Sequence, residues 1–155
     1  MNIMPIEKRV QIIQLLVEVN SMRSVECIVD CSINTVTKLL VEVSQACAEY
    51  QNMTMRNLNC KRIQCDEIWS FVYAKERNVP DEFKDVFGYG DVYTWTAIDA
   101  DTKLIPCWFV GTRRAESTHA FISDLASRLS KPCAIDYRWT QSLFRSGRNC
   151  LSWRH

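Results

Sequence analysis

Two carboxylates stand side by side in Cys65-Asp66-Glu67-Ile68-Trp69-Ser70-Phe71-Val72-Tyr73, a run otherwise rich in aromatic and β-branched residues. Burying a charge is costly unless it is paired or holds a metal. Carboxylate oxygens are the ligands that hard divalent cations take. Two such cations about 4 Å apart can clamp the attacking and leaving oxygens of a phosphoryl transfer. Strand alternation puts Ile63, Cys65, Trp69, Phe71 and Tyr73 on one face, and Gln64, Asp66, Ser70 and Val72 on the other. Asp66 falls on the more polar face and is the candidate catalytic and metal-binding carboxylate. Glu67 would point into the apolar face, and is expected instead at a solvated irregularity of the strand.

Other reactive residue types are less suggestive. The eight cysteines are scattered and include no CxxC pair. Cys27, Cys31 and Cys47 fall at core-like helix positions, where free Cys behaves as a small hydrophobe. Cys27-x3-Cys31 and Cys60-x4-Cys65 could each supply half a zinc site, but no His lies near to complete one. Asp99 and Asp101 flank a turn and read as turn residues. His119 reads as a surface residue.

A second chemistry is recognition of base edges. The stretch Ser32-Ile33-Asn34-Thr35-Val36-Thr37-Lys38 offers short polar side chains and a cation at the start of a helical pattern. Asn can pair bidentately with adenine, Thr can donate, accept or touch a thymine methyl, and Lys can reach guanine or phosphate. Asn34, Thr35, Thr37 and Lys38 are the candidate DNA-binding residues, with Arg23 as a phosphate contact.

Three helices would position them. Pro5 suits a first turn, and Ile6, Val10, Ile13 and Val17 recur at helical spacing. Ser21 can cap a second helix with Val25, Ile28 and Val29 inward; Ser32 can cap a third with Val36, Leu39, Leu40 and Val43 inward. The short turn between the last two matches a helix-turn-helix. Residues 1–60 carry 5 Lys and Arg against 6 Asp and Glu, so no strong electrostatic footprint accompanies the motif.

After residue 61 the period changes. The strand bearing Asp66 is followed by a charged, turn-rich loop over residues 75–91, then strands over Tyr93–Asp99 and Leu104–Val110. Pro106 cannot donate to a ladder, which marks the third strand as an edge. A helix follows over Glu116–Leu129, with Phe121, Ile122, Leu125 and Leu129 inward. The expected fold is α+β: a helix-turn-helix domain over residues 1–48, a linker over 49–61, and over 62–130 the first half of a ribonuclease-H-like domain, three antiparallel strands and a helix.

A chain of 155 residues that is 47% hydrophobic and 24% charged is ordinary for a globular protein. No apolar run approaches the roughly 18 residues of a membrane span, and the N-terminus has no signal-peptide pattern. These features predict a cytoplasmic protein without a membrane partner. The net charge of +1 is unevenly spread: residues 1–130 hold 14 Lys and Arg against 17 Asp and Glu, and residues 131–155 hold 5 against Asp136 alone.

The segments EKRVQIIQLLVE, SINTVTKLLVEV, KRIQCDEIWSFVYAK, YTWTAIDADTKLI and FISDLASRL together resemble transposases of small bacterial insertion sequences, the insertion-sequence-one type. The resemblance spans residues 1 to about 130, and CDEIWSFVYAK is its most specific part. It implies a helix-turn-helix that binds terminal inverted repeats, and a ribonuclease-H-like DDE domain that cuts and joins DNA with Mg2+ or Mn2+. Asp66 matches the first Asp of the metal triad. The family's next strand carries the second Asp in a context resembling QLTTDGH, and a later helix carries the Glu. This chain reads SKPCAIDYRWTQSLFRSGRNCLSWRH instead.

The tail makes sense in another frame. Suitable codons for Lys131 to Gln141, read one nucleotide later, give Asn-Arg-Val-Gln-Leu-Thr-Thr-Asp-Gly-His. Two constraints are independent of most codon choice. Trp139 followed by Thr must yield Gly, and Arg138 followed by Trp can yield only Asp, Gly, Ala or Val. Residues from about 131 onward are therefore expected to be out of frame, with Trp139, Arg145 and Arg148 as by-products of the code rather than a nucleic-acid-binding tail.

Without the second Asp and the Glu, the chain is expected to be a transposase-derived polypeptide that is inactive alone. Its expected partner is double-stranded DNA at the inverted repeats, with self-association or association with intact transposase, and nucleoid localisation in a bacterial host when DNA-bound. The alternative is a non-catalytic helix-turn-helix regulator of transposition. A complete enzyme made by a ribosomal frame change near Ser130, and a decayed gene, are the remaining readings.

Overall fold

The structure, a computed structural model, describes residues 4–84, 86 and 88–137. They form two compact units that divide between Thr54 and Met55. Among the described residues the chain is mixed α and β, with four α-helices and one four-stranded sheet.

The first unit contains α1 (Ile6–Val17), α2 (Met22–Val29) and α3 (Ile33–Thr54). Ser21 caps α2 by accepting from Ser24 N at 3.1 Å. Asp30, at φ 52, reverses the chain after α2, and Ser32 accepts from Thr35 N at 3.3 Å to cap α3. The core is Ile12, Val25, Val29, Val36 and Leu39, with Ile13, Leu15, Leu16 and Val43 packed around it.

Two expectations change here. In α1 the residues Ile6, Val10 and Val17 are exposed, and Ile12 is the fully buried one. The helix carries two apolar stripes at helical spacing, and periodicity cannot tell which one meets α2 and α3. In α2 and α3, Ile28 and Leu40 are likewise exposed, whereas Val25, Val29, Val36 and Leu39 are buried as expected. Residues 49–54 belong to α3 rather than to a linker; the mostly polar EYQNMT sequence carries too few apolar positions to reveal a helical period.

The second unit contains β1 (Arg62–Val72), β2 (Gly90–Asp99), β3 (Cys107–Gly111), α4 (Ala115–Arg128) and β4 (Ala134–Tyr137). Two 3-10 turns, Glu76–Asn78 and Asp81–Phe83, lie between β1 and β2. Gly90 starts β2 at φ +88, and a Cβ there would collide with the Glu76 carboxylate. That carboxylate accepts from Asp91 N at 3.1 Å while Asp91 Oδ1 accepts from Glu76 N at 3.0 Å, which closes the hairpin loop.

The sheet order is β3-β2-β1-β4. β1 pairs antiparallel with β2, β2 antiparallel with β3, and β1 parallel with β4. One face packs on α4 through Ile63, Cys65, Trp95, Ala97, Cys107, Phe121, Ile122 and Leu125. β3 is an edge, as expected, but it begins at Cys107, just after Pro106, rather than at Leu104.

The fourth strand departs from the sequence reading, which has no strand after α4. Four residues are too few to show a period, yet Ile135 and Tyr137 alternate onto the same core. The free edge of β1 supplies the rest, since a strand edge pairs through backbone groups whatever the side chains. Leu58 and Leu129 form an isolated parallel bridge, and Ala134 N donates to Lys61 O at 3.2 Å, so the end of α4 feeds β4 directly beside β1.

Candidate functional site

Asp66 lies in β1 opposite Thr96 of β2, and the ladder is continuous through it. Its side chain is on the sheet face away from α4, with Gln64 and Ile68 before and after it by alternation. Asp66 Oδ1 accepts from Glu67 N at 2.9 Å. An open cleft of about 510 Å³ is lined by Gln64 and Asp66 of β1, Thr96 and Ile98 of β2, and Asp136 and Tyr137 of β4. The parallel register sets Asp136 opposite Gln64. Two carboxylates from adjacent strands therefore line one cleft, and Asp136 is the residue of this site that sequence reasoning missed. Its signal is the alternation Ile135-Asp136-Tyr137, legible only once β1 is known to have a free edge.

Two carboxylates can share one hard cation. A pair of ions in defined geometry needs several further shared oxygens, and these residues do not supply them. Among the described residues no group of three or more His, Cys, Asp or Glu is placed to hold a metal ion. Nor is a zinc half-site built from Cys60 and Cys65. Burial, with Cys107, Cys133 and Asp66 nearby, pushes the Cys65 thiol well up; burial pushes Cys107 up to about 12. Both are core side chains beneath α4. Cys27 and Cys47 are exposed rather than in the helical core.

Glu67 is not at an irregularity. It stays in the regular ladder opposite Trp95, on the α4 face, with its side chain only 12% exposed. Arg113, from the loop between β3 and α4, forms an ion pair with its Oε1 and also stacks over the Tyr93 ring at 5.8 Å. A charge that alternation sends inward is accommodated by a partner distant in sequence rather than by a bulge. His119 is exposed on α4, and Asp99 caps the β2–β3 turn, as expected.

The helical unit gathers most of the other candidates. Asn34, Thr37 and Lys38 are exposed on the first two turns of α3, at spacings of three and four that put them on one face. Thr37 Oγ1 lies 3.9 Å from Met22 Sδ, so the start of α2, which bears exposed Arg23, is beside that face. Thr35 differs: its hydroxyl is 3.0 Å from Ser32 Oγ within the cap, and the residue is half-buried. Its hydroxyl takes part in the cap that orders the helix start. Two side chains that sequence reasoning passed over hold this arrangement. Glu26 Oε1 accepts from Ile33 N at 3.0 Å, and Lys8 Nζ donates to Val29 O at 3.3 Å, closing the start of α3 and the end of α2.

No protein-family model matches this chain, and no curated protein matches it either. No helix among the described residues is long and apolar enough to cross a membrane. Residues 138–155, including Arg138, Trp139, Arg145 and Arg148 of the expected out-of-frame segment, lie outside the described residues.

Proposed function

We propose that this chain is a transposase-derived, DNA-binding polypeptide of the insertion-sequence-one type that does not catalyse transposition by itself. The carrying observation is Asp66 on the open face of a sheet whose fourth strand runs parallel beside the first, after one helix. Three antiparallel strands, a helix and a parallel fourth strand match the opening half of a ribonuclease-H-like fold. In that fold the strand-one Asp faces a metal site completed by later elements.

The register also supports the frame reading. In a product of the shifted frame position 138 is Asp, Gly, Ala or Val, and suitable codons make it Asp. The parallel register of β1 and β4 runs as far as Tyr137 opposite Cys65, the residue before Asp66. The chain in hand has Arg at position 138, and its two cleft carboxylates fall short of a two-metal set. DNA binding then rests on the helix-turn-helix, with Asn34, Thr37 and Lys38 reading the groove and Arg23 at the backbone.

Footprinting on the ends of the element that encodes the chain tests this. Protection of the inverted repeats is expected, at low salt because the unit has little net charge. Asn34→Ala with Lys38→Ala should weaken it by tenfold or more, since each bidentate base contact is worth about 1–3 kcal/mol. Equal protection by the variant, or Mg2+-dependent strand cleavage lost in Asp66→Asn, would sink the proposal.

A further inference from the structure

We propose that Cys60 and Cys133 form a reversible oxidation site, closing to a disulfide that pins β4 to β1 when a hydroperoxide reaches them. The two cysteines sit where the chain enters those strands, Cys60 two residues before β1 and Cys133 directly before β4. Their segments are joined by backbone bonds on both sides of the pair. Leu58 N donates to Arg128 O and Ser130 N to Leu58 O, each at 2.9 Å; further on, Ala134 N donates to Lys61 O at 3.2 Å. The last of these links the residue after Cys133 to the residue after Cys60.

Both side chains also meet the same core. Ile135 and Tyr137 alternate onto the face beneath α4, and Cys133 continues that alternation. Lys61 would follow Ile63 inward, but the chain bends there; Lys61 is exposed, and Cys60 packs on the core instead. Adjacent strands lie about 4.8 Å apart, and a disulfide spans Cα atoms about 4.4–6.8 Å apart. Both cysteines are half-buried at the rim of the core, where a small oxidant can reach them. Burial pushes both thiols up, with Asp99 next, and at Cys60 the neighbouring Cys133 adds to the effect.

The other described cysteines are placed differently. Cys65 and Cys107 are buried and stand on opposite sides of Ala97 in the sheet, two strand spacings or about 10 Å apart. Cys27, Cys31 and Cys47 belong to the helical unit. Cys133 lies in the segment read as out of frame, so the site is a property of this chain and not of the family it resembles.

The chemistry balances with the hydroperoxide as oxidant. One thiol takes an oxygen from H2O2 to become a sulfenic acid and releases water; the other sulfur displaces the hydroxyl as a second water. Two thiols and one peroxide give one disulfide and two waters. Asp136 follows Cys133 by three residues, so the bridge holds it beside Asp66 for as long as the protein stays oxidised.

The test exposes the full chain to H2O2, alkylates the remaining thiols and maps disulfide-linked peptides without reductant. The main intramolecular link is expected between Cys60 and Cys133, and dithiothreitol should remove it. Tryptophan fluorescence reports the sheet unit alone, since residues 1–54 contain no Trp. Its urea midpoint should rise on oxidation by about 1 M, as a bridge across a long loop predicts. Cys60→Ser and Cys133→Ser should each abolish the rise, and in at least one of them dimedone should label the cysteine left behind. Where a Ser variant loses the tryptophan transition, the Ala variant is read in its place. A main link through any other pair of cysteines, sulfenic acid on both without a bridge, or an unchanged midpoint in the linked protein would overturn the proposal.

Discussion

Asp99 closes the turn between β2 and β3 by accepting from Thr102 Oγ1 at 2.6 Å and from the backbone N–H groups of Asp101 and Thr102. The Thr102 hydroxyl is the chief reason its carboxyl sits below the usual range; burial works against it, and the backbone donors and Lys103 assist. With a folded pKa below an unfolded value of about 3.9, the group stabilises the protein above that value. The contribution fades as pH falls through the folded pKa. Urea midpoints measured from pH 5 down to pH 2.5 should therefore fall, and Thr102→Val should flatten that fall while lowering the midpoint at pH 5. A slope equal in both proteins would show that another group carries it. Residues in local turns of this kind are legible in sequence, because their partners are two or three positions away. Glu67 is not, since Arg113 reaches it from the other side of two strands. The same distance in sequence hid Asp136, whose place beside Asp66 depends on strand pairing rather than on any neighbour in the chain.

At the scale of elements, the start of α3 depends on α2. Glu26 Oε1 on Ile33 N satisfies one of the helix's unpaired donors with a charge at the positive end of its dipole. Glu26→Ala should cost about 1–2 kcal/mol in urea unfolding, in the range of a lost helix cap, and Glu26→Gln should recover part of it. Urea curves that overlay the unsubstituted protein would show that the bond contributes nothing. Helices, their caps at Ser21 and Ser32, and the strand bearing Asp66 are legible because each has a local period and local stop signals. The buried face of α1 is not, because Ile6, Val10 and Val17 repeat as regularly as the stripe through Ile12. The end of α3 and the whole of β4 were hidden for opposite reasons. One is a helix end with too few apolar positions to show a period, and the other is a strand formed because an edge was open to it.

At the scale of the molecule, the two units have separate cores, one around Ile12 and Val36 and the other around Trp95 and Phe121. Brief trypsin treatment should cut between these units at Arg56, ahead of the paired strand that begins at Arg62, with the helical fragment persisting longest. Earlier cleavage within residues 6–43 would contradict separate folding. The sheet unit differs from the helical one in what it leaves uncovered. Ile68 is 59% exposed, and Trp108 and Val110 stand with it on the face opposite α4. Apolar side chains on an open sheet are what chaperones hold and what cellular proteases degrade, because they mark folding that has stopped short. The half-life of this protein in a cell should therefore be set by that face, and its abundance by triage rather than by synthesis.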